Sequence, residues 1–265
     1  MATAPASRPA WKDPATVLIT GATGGVGSAL AAEYARPGRS LILHGRDPER
    51  LTALAGSCEA RGARALTATF DLRDPGATVE ALRALSQRET IDLAVVNAGV
   101  TRMIGAGEAV ESWQAVHEVL AVNLDGALAT VAGVLPAMRL RGSGQIALIS
   151  SLAAYVGLPR TPTYSASKAA LKVYGEALRA WLAPQGVAVN VVLPGYVRTA
   201  MTERVRGPKP SLMTADRAAR LIRSGLEANR ARIAFPKGMA WGTWLLSVLP
   251  PGVAQGILRR RGFGA

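Results

Sequence analysis

The sequence predicts a doubly wound α/β fold, in which helices cover both faces of a parallel β-sheet. Short apolar runs alternate along the chain with longer helical stretches, the pattern of buried parallel strands joined by crossover helices. The first apolar run passes directly into the glycine-rich segment Gly21–Gly27. With 265 residues, 49% of them hydrophobic, the chain is suited to one domain with a full core.

Seven apolar runs are predicted to form the strands of this sheet. In chain order they are Thr16–Thr20, Ser40–His44, Arg64–Phe70, Ile91–Val96, Ile146–Ile149, Gly186–Leu193 and Arg232–Phe235. A long helical stretch is predicted over Glu108–Arg141, and Thr202–Asn229 is predicted to hold a short mobile flap and a helix. Strands alternating with helices in this way favour a parallel sheet with its site at the carboxyl ends of the strands.

The segment after the first strand has the composition of a phosphate-binding loop. Its glycines permit a tight turn and a close approach of a ligand to the backbone. The Ala- and Leu-rich helix behind them, predicted to end near Ala35, would direct unpaired N-terminal amides at an anion. The candidate cofactor-binding residues here are Gly21, Thr23, Gly24, Gly25, Val26 and Gly27.

Tyr164 and Lys168 lie four residues apart on a predicted helix that ends near Leu182, and this spacing places them on one face. A free tyrosine has a pKa of about 10, and an ammonium about 4 Å away can lower it by about three units in a partly dry site. Ser151, at the end of the preceding strand, can offer its hydroxyl to the same substrate oxygen. The three side chains predict proton transfer to or from an alcohol or a carbonyl.

The end of the second strand should meet the adenosine ribose of a dinucleotide, where NAD-dependent enzymes place an acidic residue. The strand ends instead with His44-Gly45-Arg46. Arg46 can bind a 2′-phosphate through two parallel hydrogen bonds, which favours NADP(H) as the cofactor. Asp47, one residue further on, leaves NAD(H) as the alternative.

Four motifs between Thr20 and Thr199 resemble those of the short-chain dehydrogenase/reductase family. They are T-G-x-x-x-G-x-G at 20–27, N-A-G at 97–99, Y-S-A-S-K at 164–168 with a serine thirteen residues before it, and P-G-x-V-x-T at 194–199. Because Gly24 and Gly25 are both present, the first motif also fits the form of a longer, epimerase-like branch. The length of the chain favours the compact single-domain branch, with its Rossmann-type sheet.

The resemblance implies further cofactor contacts. Asp71 would contact the adenine amino group and Leu72 would flank the ring, with a helix cap before Pro75 as the alternative role for Asp71. Val197 and Thr199 would reach the nicotinamide carboxamide. The remaining residues of the implied cofactor site are Asn97, Ala98, Gly99, Tyr164, Lys168, Pro194 and Gly195.

The resemblance also implies a proton relay. Asn123 stands in an otherwise apolar run, where the family has an asparagine that holds a relay water; a helix–helix hydrogen bond is the alternative. Tyr164 would be the proton donor or acceptor, Ser151 would orient the substrate oxygen, and Lys168 would lower the tyrosine pKa. The predicted function is NADP(H)-dependent interconversion of an apolar carbonyl and a secondary alcohol. A non-catalytic nucleotide sensor or scaffold, and an epimerase or dehydratase, are the alternatives.

The net charge of +13 comes from 26 Arg and five Lys against 18 acidic residues. Because the arginines are scattered and no aromatic–basic module is visible, we expect a small-molecule substrate and no nucleic-acid partner. The single cysteine, Cys58, excludes internal disulfides and a cysteine-built metal site, and no metal is predicted. Residues 1–15 are predicted to be a flexible tail that lacks the apolar run of a signal peptide, which favours a cytoplasmic location.

The catalytic domain is assigned to residues 16–238, and residues 239–265 form an apolar and basic C-terminal extension. Its apolar part, Met239–Leu249, contains Trp241 and Trp244 but is too short to span a bilayer, which takes about 20 residues. With Arg259–Arg261 behind it, the extension could lie on a membrane surface, cover the substrate pocket, or form a subunit contact in a homodimer or homotetramer. The sequence leaves these roles open.

Overall fold

The structure is a computed structural model that describes residues 13–105, 109–205 and 207–263. Most of the predicted N-terminal tail lies outside the described residues, as does Glu108, the predicted first residue of the long helical stretch.

Seven strands form one sheet in the described part of the chain. They are β1 Thr16–Ile19, β2 Ser40–His44, β3 Arg64–Ala68, β4 Leu93–Val96, β5 Gly144–Ile149, β6 Val187–Pro194 and β7 Arg232–Phe235. Their order is β3-β2-β1-β4-β5-β6-β7, and every neighbouring pair is parallel. The predicted doubly wound parallel sheet is confirmed. Strand β3 ends before Phe70, whose carbonyl pairs with the His44 ring instead of the ladder.

Helices connect the strands and cover both faces of the sheet. They are α1 Gly25–Tyr34, α2 Pro48–Glu59, α3 Pro75–Arg88, α4 Trp113–Leu120, α5 Gly126–Arg141, α6 Pro162–Leu182, α7 Ala200–Arg204, α8 Ala215–Glu227, α9 Lys237–Val248 and α10 Pro251–Arg260. A single π-helical turn, Ala121–Asp125, joins α4 to α5, and a short 3₁₀ helix, Leu152–Ala154, follows β5.

The sheet separates two apolar cores, because successive side chains of a strand point to opposite faces. From β1, Val17 and Ile19 pack among residues of α1, α2 and α8, whereas Leu18 packs among residues of α3, α5 and α6. All three side chains are fully buried. Burial on both faces explains why the strand reads as a continuous apolar run.

The stretch Trp113–Arg141 is long and apolar enough, by length and composition alone, to cross a membrane. However, 61% of its most apolar window is buried inside the protein. Helix α5 packs along α3 and contributes Val131, Val134 and Met138 to the core beneath the sheet. Its apolar character therefore serves the interior of the fold.

The chain continues after β7 into α9 and α10, which contain most of residues 239–265. Helix α9 packs against β7 and the 3₁₀ helix, and Met239 lies over the backbone of Gly195. Helix α10 buries Ala254 and Leu258, and its Gln255 Nε2 donates to the carbonyl of Gly157 at 3.2 Å. These contacts attach the helix pair to the segment between β5 and α6.

Candidate active site

A cleft opens at the carboxyl ends of the strands, where the strand order reverses between β1 and β4. This is where doubly wound folds bind their ligands. The structure brings every candidate site residue to the wall of this cleft except two, Gly27 and Asn123. Both of these lie directly behind the wall.

The loop after β1 needs glycine for two different reasons. Gly21 has a φ of 63°, the left-handed region that favours glycine, and a Cβ there would lie 2.8 Å from the Cα of Ala98. A Cβ at Gly27 would lie 2.3 Å from the carbonyl oxygen of Gly21. The loop therefore folds back tightly on the first turn of α1, which explains why Gly27 lies behind the cleft wall.

The N-terminus of α1 faces the cleft without a side-chain cap. Gly24 is its N-cap residue and has no side chain to accept from the first amides. By contrast, Asp47 and Asp74 accept first-turn amides in α2 and α3. The unpaired amides and positive end of α1 are therefore available to an anion such as a phosphate.

Asn97, which follows β4, forms hydrogen bonds with the end of β1, so that the two strands that flank the cleft are joined. Its Nδ2 donates to the carbonyls of Thr20 and Gly21 at 3.0 and 3.2 Å. The backbone amides of Asn97 and Ala98 donate to the Thr20 hydroxyl at 3.0 and 3.2 Å. These bonds hold the glycine loop and the segment after β4 in one arrangement.

Two arginines lie at the far end of the cleft, after β2. Arg46 and Arg50 both line it, and Arg50 Nη2 donates to the Thr23 carbonyl at 2.6 Å. Asp47 does not line it; its carboxylate accepts the Arg50 amide at 3.1 Å and caps α2. The charge presented to a ligand here is positive.

Asp71 lines the cleft beside Leu72 and pairs with Arg73, whose Nη2 lies 2.5 Å from Oδ2. This interaction lowers the pKa of Asp71 to about 2. The alternative role of Asp71 as a helix cap is wrong, because the side chain that accepts the first-turn amide of α3 is that of Asp74. Asp71 thus remains charged and turned toward the cleft.

The proposed catalytic side chains meet at the end of β5. Ser151 accepts from the amide of Ala153 at 3.1 Å and so begins the short 3₁₀ helix. Tyr164 and Lys168 follow in the first turns of α6, on one face of the helix as predicted. Lys168 is buried; its Nζ donates to the Ile149 carbonyl at 2.9 Å and lies 5.8 Å from the centre of the Tyr164 ring.

Burial dominates the acid–base properties of this pair. It lowers the pKa of Lys168 to about 8, so the side chain is still mostly an ammonium at pH 7. Burial raises the pKa of Tyr164, and the Ser151 side chain acts in the opposite direction. The expected lowering by Lys168 is not found in this arrangement, since the ammonium is directed at the backbone carbonyl of Ile149.

Asn123 lies in the π-helical turn and is fully buried behind the cleft wall. Its Oδ1 accepts from the amide of Val100 at 2.7 Å, and its Nδ2 donates to the Val100 carbonyl at 2.9 Å and the Ser167 hydroxyl at 3.1 Å. The helix–helix hydrogen bond considered as the alternative role is therefore present. A Cβ at Gly99 would lie 3.3 Å from Asn123 Oδ1 and 3.4 Å from Lys168 Nζ, so the two groups converge at that glycine.

The segment after β6 closes the cleft opposite the glycine loop. Thr199 Oγ1 accepts from the amide of Thr202 at 3.2 Å and caps the short helix α7. Its Cγ2 would lie 2.5 Å from a Cβ at Gly25. Val197 is buried and forms a parallel bridge with Met213.

Comparison with known proteins identifies the family. The family model described as short chain dehydrogenase matches residues 15–209. The chain belongs to that family. The resemblance noted in the sequence is therefore confirmed.

Two relatives of this chain illustrate the match. An oxidoreductase of Myxococcus xanthus is 36% identical over 246 residues, which are 92% of this chain and 96% of the relative. Gluconate 5-dehydrogenase of Gluconobacter oxydans is 32% identical over 193 residues, covering 72% of this chain and 74% of that protein.

A solved structure shows the same fold. The short-chain dehydrogenase from Sphingobium yanoikuyae in complex with NADPH superposes with a TM-score of 0.77 at 26% identity. The superposition covers 92% of this chain and 95% of the other.

Sequence reasoning missed the role of two residues. His44 Nδ1 accepts from the Gly21 amide at 3.4 Å, its Nε2 pairs with the Phe70 carbonyl at 3.0 Å, and burial lowers its pKa. A neutral ring thus joins the ends of β1, β2 and β3. Burial raises the pKa of Tyr196, and the nearby Tyr164 phenol acts in the same direction. Only the place of Tyr196 after β6 could have suggested this proximity.

The residues present fit a dinucleotide. The uncapped end of α1 can receive the phosphates, and the space above Gly25 would be closed by any side chain there. Arginines rather than a free carboxylate stand where the adenosine ribose is bound in this fold. A dinucleotide with a pyrophosphate in its middle and negative charge on its adenosine ribose would fit both the uncapped end of α1 and the two arginines.

Proposed function

We propose that the protein catalyses the NADP(H)-dependent interconversion of a carbonyl compound and a secondary alcohol. The observation that carries the proposal is the joint position of Ser151, Tyr164 and Lys168 on the same cleft as the glycine loop. The NADPH complex of the Sphingobium enzyme and the dehydrogenase activity named for the Gluconobacter relative support it.

NADP(H) is favoured over NAD(H) by the two arginines after β2. A guanidinium can bind a 2′-phosphate through two hydrogen bonds, and Asp47, which would bind a free ribose hydroxyl, is engaged as a helix cap. When bound, the cofactor supplies the hydride for reduction or accepts it in oxidation. The residues that would hold it are Gly21, Thr23, Gly24, Gly25, Val26, Arg46, Asp71, Leu72, Asn97, Ala98, Gly99, Lys168, Pro194, Gly195, Val197 and Thr199.

Tyr164 is the proposed general acid and base. Burial raises its pKa, so the phenol carries its proton at neutral pH and can donate it to a carbonyl oxygen as an alcohol forms. The Ser151 hydroxyl would donate a hydrogen bond to the same oxygen and stabilise its developing charge. For the Lys168 ammonium to stabilise the phenolate that remains, it would have to turn from the Ile149 carbonyl toward the phenol oxygen.

Asn123 is the proposed anchor of the relay that restores the proton. Its amide is fixed by Val100 and Ser167, and its oxygen converges with the Lys168 amine beside Gly99. A fixed oxygen acceptor next to an ammonium is a suitable seat for a water that exchanges protons with that ammonium.

The proposed substrate is an apolar carbonyl compound, and the proposed assembly is a homodimer or homotetramer. Val100, Val122 and Met201 contribute apolar side chains to the cleft that holds Tyr164. Large apolar side chains are exposed on the helices that lead away from it, among them Trp113 on α4 and Leu140 on α5. Such exposure is typical of surfaces covered by another subunit.

The test of the reaction is NADPH oxidation with a panel of ketones and aldehydes of increasing apolar size. We expect turnover with NADPH to exceed turnover with NADH, and to rise from small polar to larger apolar carbonyls. Absence of any nucleotide-dependent reduction or alcohol oxidation by protein that binds NADPH would favour the non-catalytic sensor instead.

A further inference from the structure

Helices α9 and α10 expose an apolar surface that the catalytic proposal does not use. We call it the C-terminal face, and it consists of Trp241, Trp244, Leu245, Val248 and Val253. Trp241 is 69% and Trp244 is 42% exposed, and their rings meet edge to face with centroids 5.6 Å apart. An aromatic pair held in this way is already ordered in the free protein.

The C-terminal face is carried by anchored helices. The opposite side of α9 packs Met239 and Ala240 against Leu152, Val191 and Leu193. Because that side is already occupied, α9 cannot bury its tryptophans by rotating toward the core. The tryptophans can be shielded from solvent only by a surface outside the described part of the chain.

The segment of the chain that carries the C-terminal face contains basic and no acidic side chains. No Asp or Glu follows Glu227 in the sequence, whereas Arg230, Arg232, Lys237 and the cluster Arg259–Arg261 do. Of these, Arg232 pairs with Glu176. Lys237 and the arginine cluster are exposed, so the apolar face lies within a basic segment of the chain.

We propose that the C-terminal face docks on an anionic lipid surface, with α9 lying in the plane of the interface. Tryptophan is suited to the boundary between acyl chains and headgroups, since its ring is apolar and its N–H can stay hydrated. Arginines beside an apolar helix add attraction to anionic headgroups. Helix α9 is too short to span the bilayer, so the contact is peripheral.

A second copy of the chain is a less suitable occupant of this face. In a two-fold contact the same patch lies on both sides, so two segments that carry basic and no acidic side chains would approach each other. Their repulsion would oppose the contact, whereas an anionic lipid surface neutralises it. Charge complementarity therefore favours an anionic lipid surface over a second copy of the chain.

The test is co-sedimentation of the full chain with phosphatidylcholine vesicles that contain or lack phosphatidylglycerol. We expect binding to the anionic vesicles at low salt, at least tenfold weaker binding to neutral vesicles, and loss of binding as salt rises. The variant Trp241→Ala/Trp244→Ala should lose at least tenfold in affinity. Replacing the three clustered arginines by Ala should cost up to about 100-fold, since each contributes about 1 kcal/mol near such a surface.

Trp181→Ala is the matched control, because Trp181 is 53% exposed but lies on α6. It should bind vesicles as the unmodified protein does. Circular dichroism should show that all variants remain folded, which the exposure of the replaced side chains favours.

Equal vesicle binding by the Trp241→Ala/Trp244→Ala variant and the unmodified protein would overturn the proposal, as would no binding at all at low salt. Light scattering provides a separate outcome. If that variant dissociates an oligomer that the unmodified protein forms, the face belongs to a second copy and the lipid assignment is wrong.

Discussion

The cleft between β1 and β4 and the C-terminal face belong to one chain but differ in what their side chains contact. At the cleft and directly behind its wall, Asn97 and Asn123 have fixed partners, and Lys168 is held against a backbone carbonyl. In the C-terminal face, Trp241 and Trp244 pack mainly on each other and remain in water. The contacts that fix the first region lie within the protein, whereas the contacts proposed for the second lie outside it. Substitutions in the cleft and in the C-terminal face should therefore have different effects.

The largest effect is expected from Tyr164→Phe in the cleft. Loss of the phenolic proton should lower turnover by about 10²–10⁴-fold, the usual contribution of a general acid or base. Fluorescence titration should show that NADPH binding is retained, because the ring and the helix that carries it are unchanged. Near-normal turnover in the variant would remove Tyr164 from the mechanism.

The next effect concerns cofactor choice. Arg46→Ala should weaken NADPH binding by about 1.5–3 kcal/mol and leave NADH binding nearly unchanged, because only NADPH carries the 2′-phosphate. Isothermal titration of both cofactors measures the difference.

Asp47→Ala is the control for that experiment. It should cost about 1 kcal/mol of stability through loss of the α2 cap, without changing the preference between cofactors. A parallel loss of NADPH and NADH affinity in Arg46→Ala would show that Arg46 does not recognise the phosphate.

A smaller effect of unusual sign is expected from Lys168→Met. The shift of the Lys168 pKa from 10.5 to about 8 corresponds to about 3 kcal/mol for burying its charge. The variant avoids this cost but also loses the hydrogen bond to the Ile149 carbonyl, which offsets part of the gain. We therefore expect it to be about 1–2 kcal/mol more stable at pH 7, with strongly reduced turnover.

The gain in stability should depend on pH in a defined direction. Below about pH 8 the amine is charged in both the folded and the unfolded chain, so the full cost of burial applies. Between about pH 8 and 10.4 the folded protein releases this proton first, and the stability of the unmodified protein rises with pH. The difference between the proteins in urea unfolding should therefore shrink over that range. A constant difference would contradict the assignment.

The smallest effect is expected in the C-terminal face. Trp241→Ala should change the free energy of unfolding by no more than about 1 kcal/mol, because the side chain is exposed and loses only its contact with Trp244. Leu258→Ala, in the buried side of α10, should cost about 2–5 kcal/mol. Thermal unfolding of both variants sharpens the comparison, and similar losses would mean that Trp241 is packed after all.

The sequence predicted those parts of the site that depend on neighbours along the chain. An apolar run followed by spaced glycines is enough to predict β1 and its loop, and helical spacing is enough to place Tyr164 and Lys168 on one face. The partner of the Lys168 amine could not be predicted, because the Ile149 carbonyl belongs to another element and its position depends on packing. The direction of the Tyr164 pKa shift depends on the same burial.

The cap of α3 was misassigned although a local signal for it exists. Asp74 directly precedes Pro75, and a proline at the first position of a helix makes the residue before it the cap. The Asp71 carboxylate instead accepts from Arg73. His44 was missed for a different reason, because its two partners come from different strands.

The hydrogen bond from Gln255 to the carbonyl of Gly157 has an evolutionary consequence. Its acceptor is a backbone atom, and a Cβ at residue 157 would meet no other atom within 4 Å. Substitutions at this position are therefore compatible with the bond. Position 157 can diversify in sequence among descendants of this protein while the attachment of its backbone to α10 is inherited unchanged.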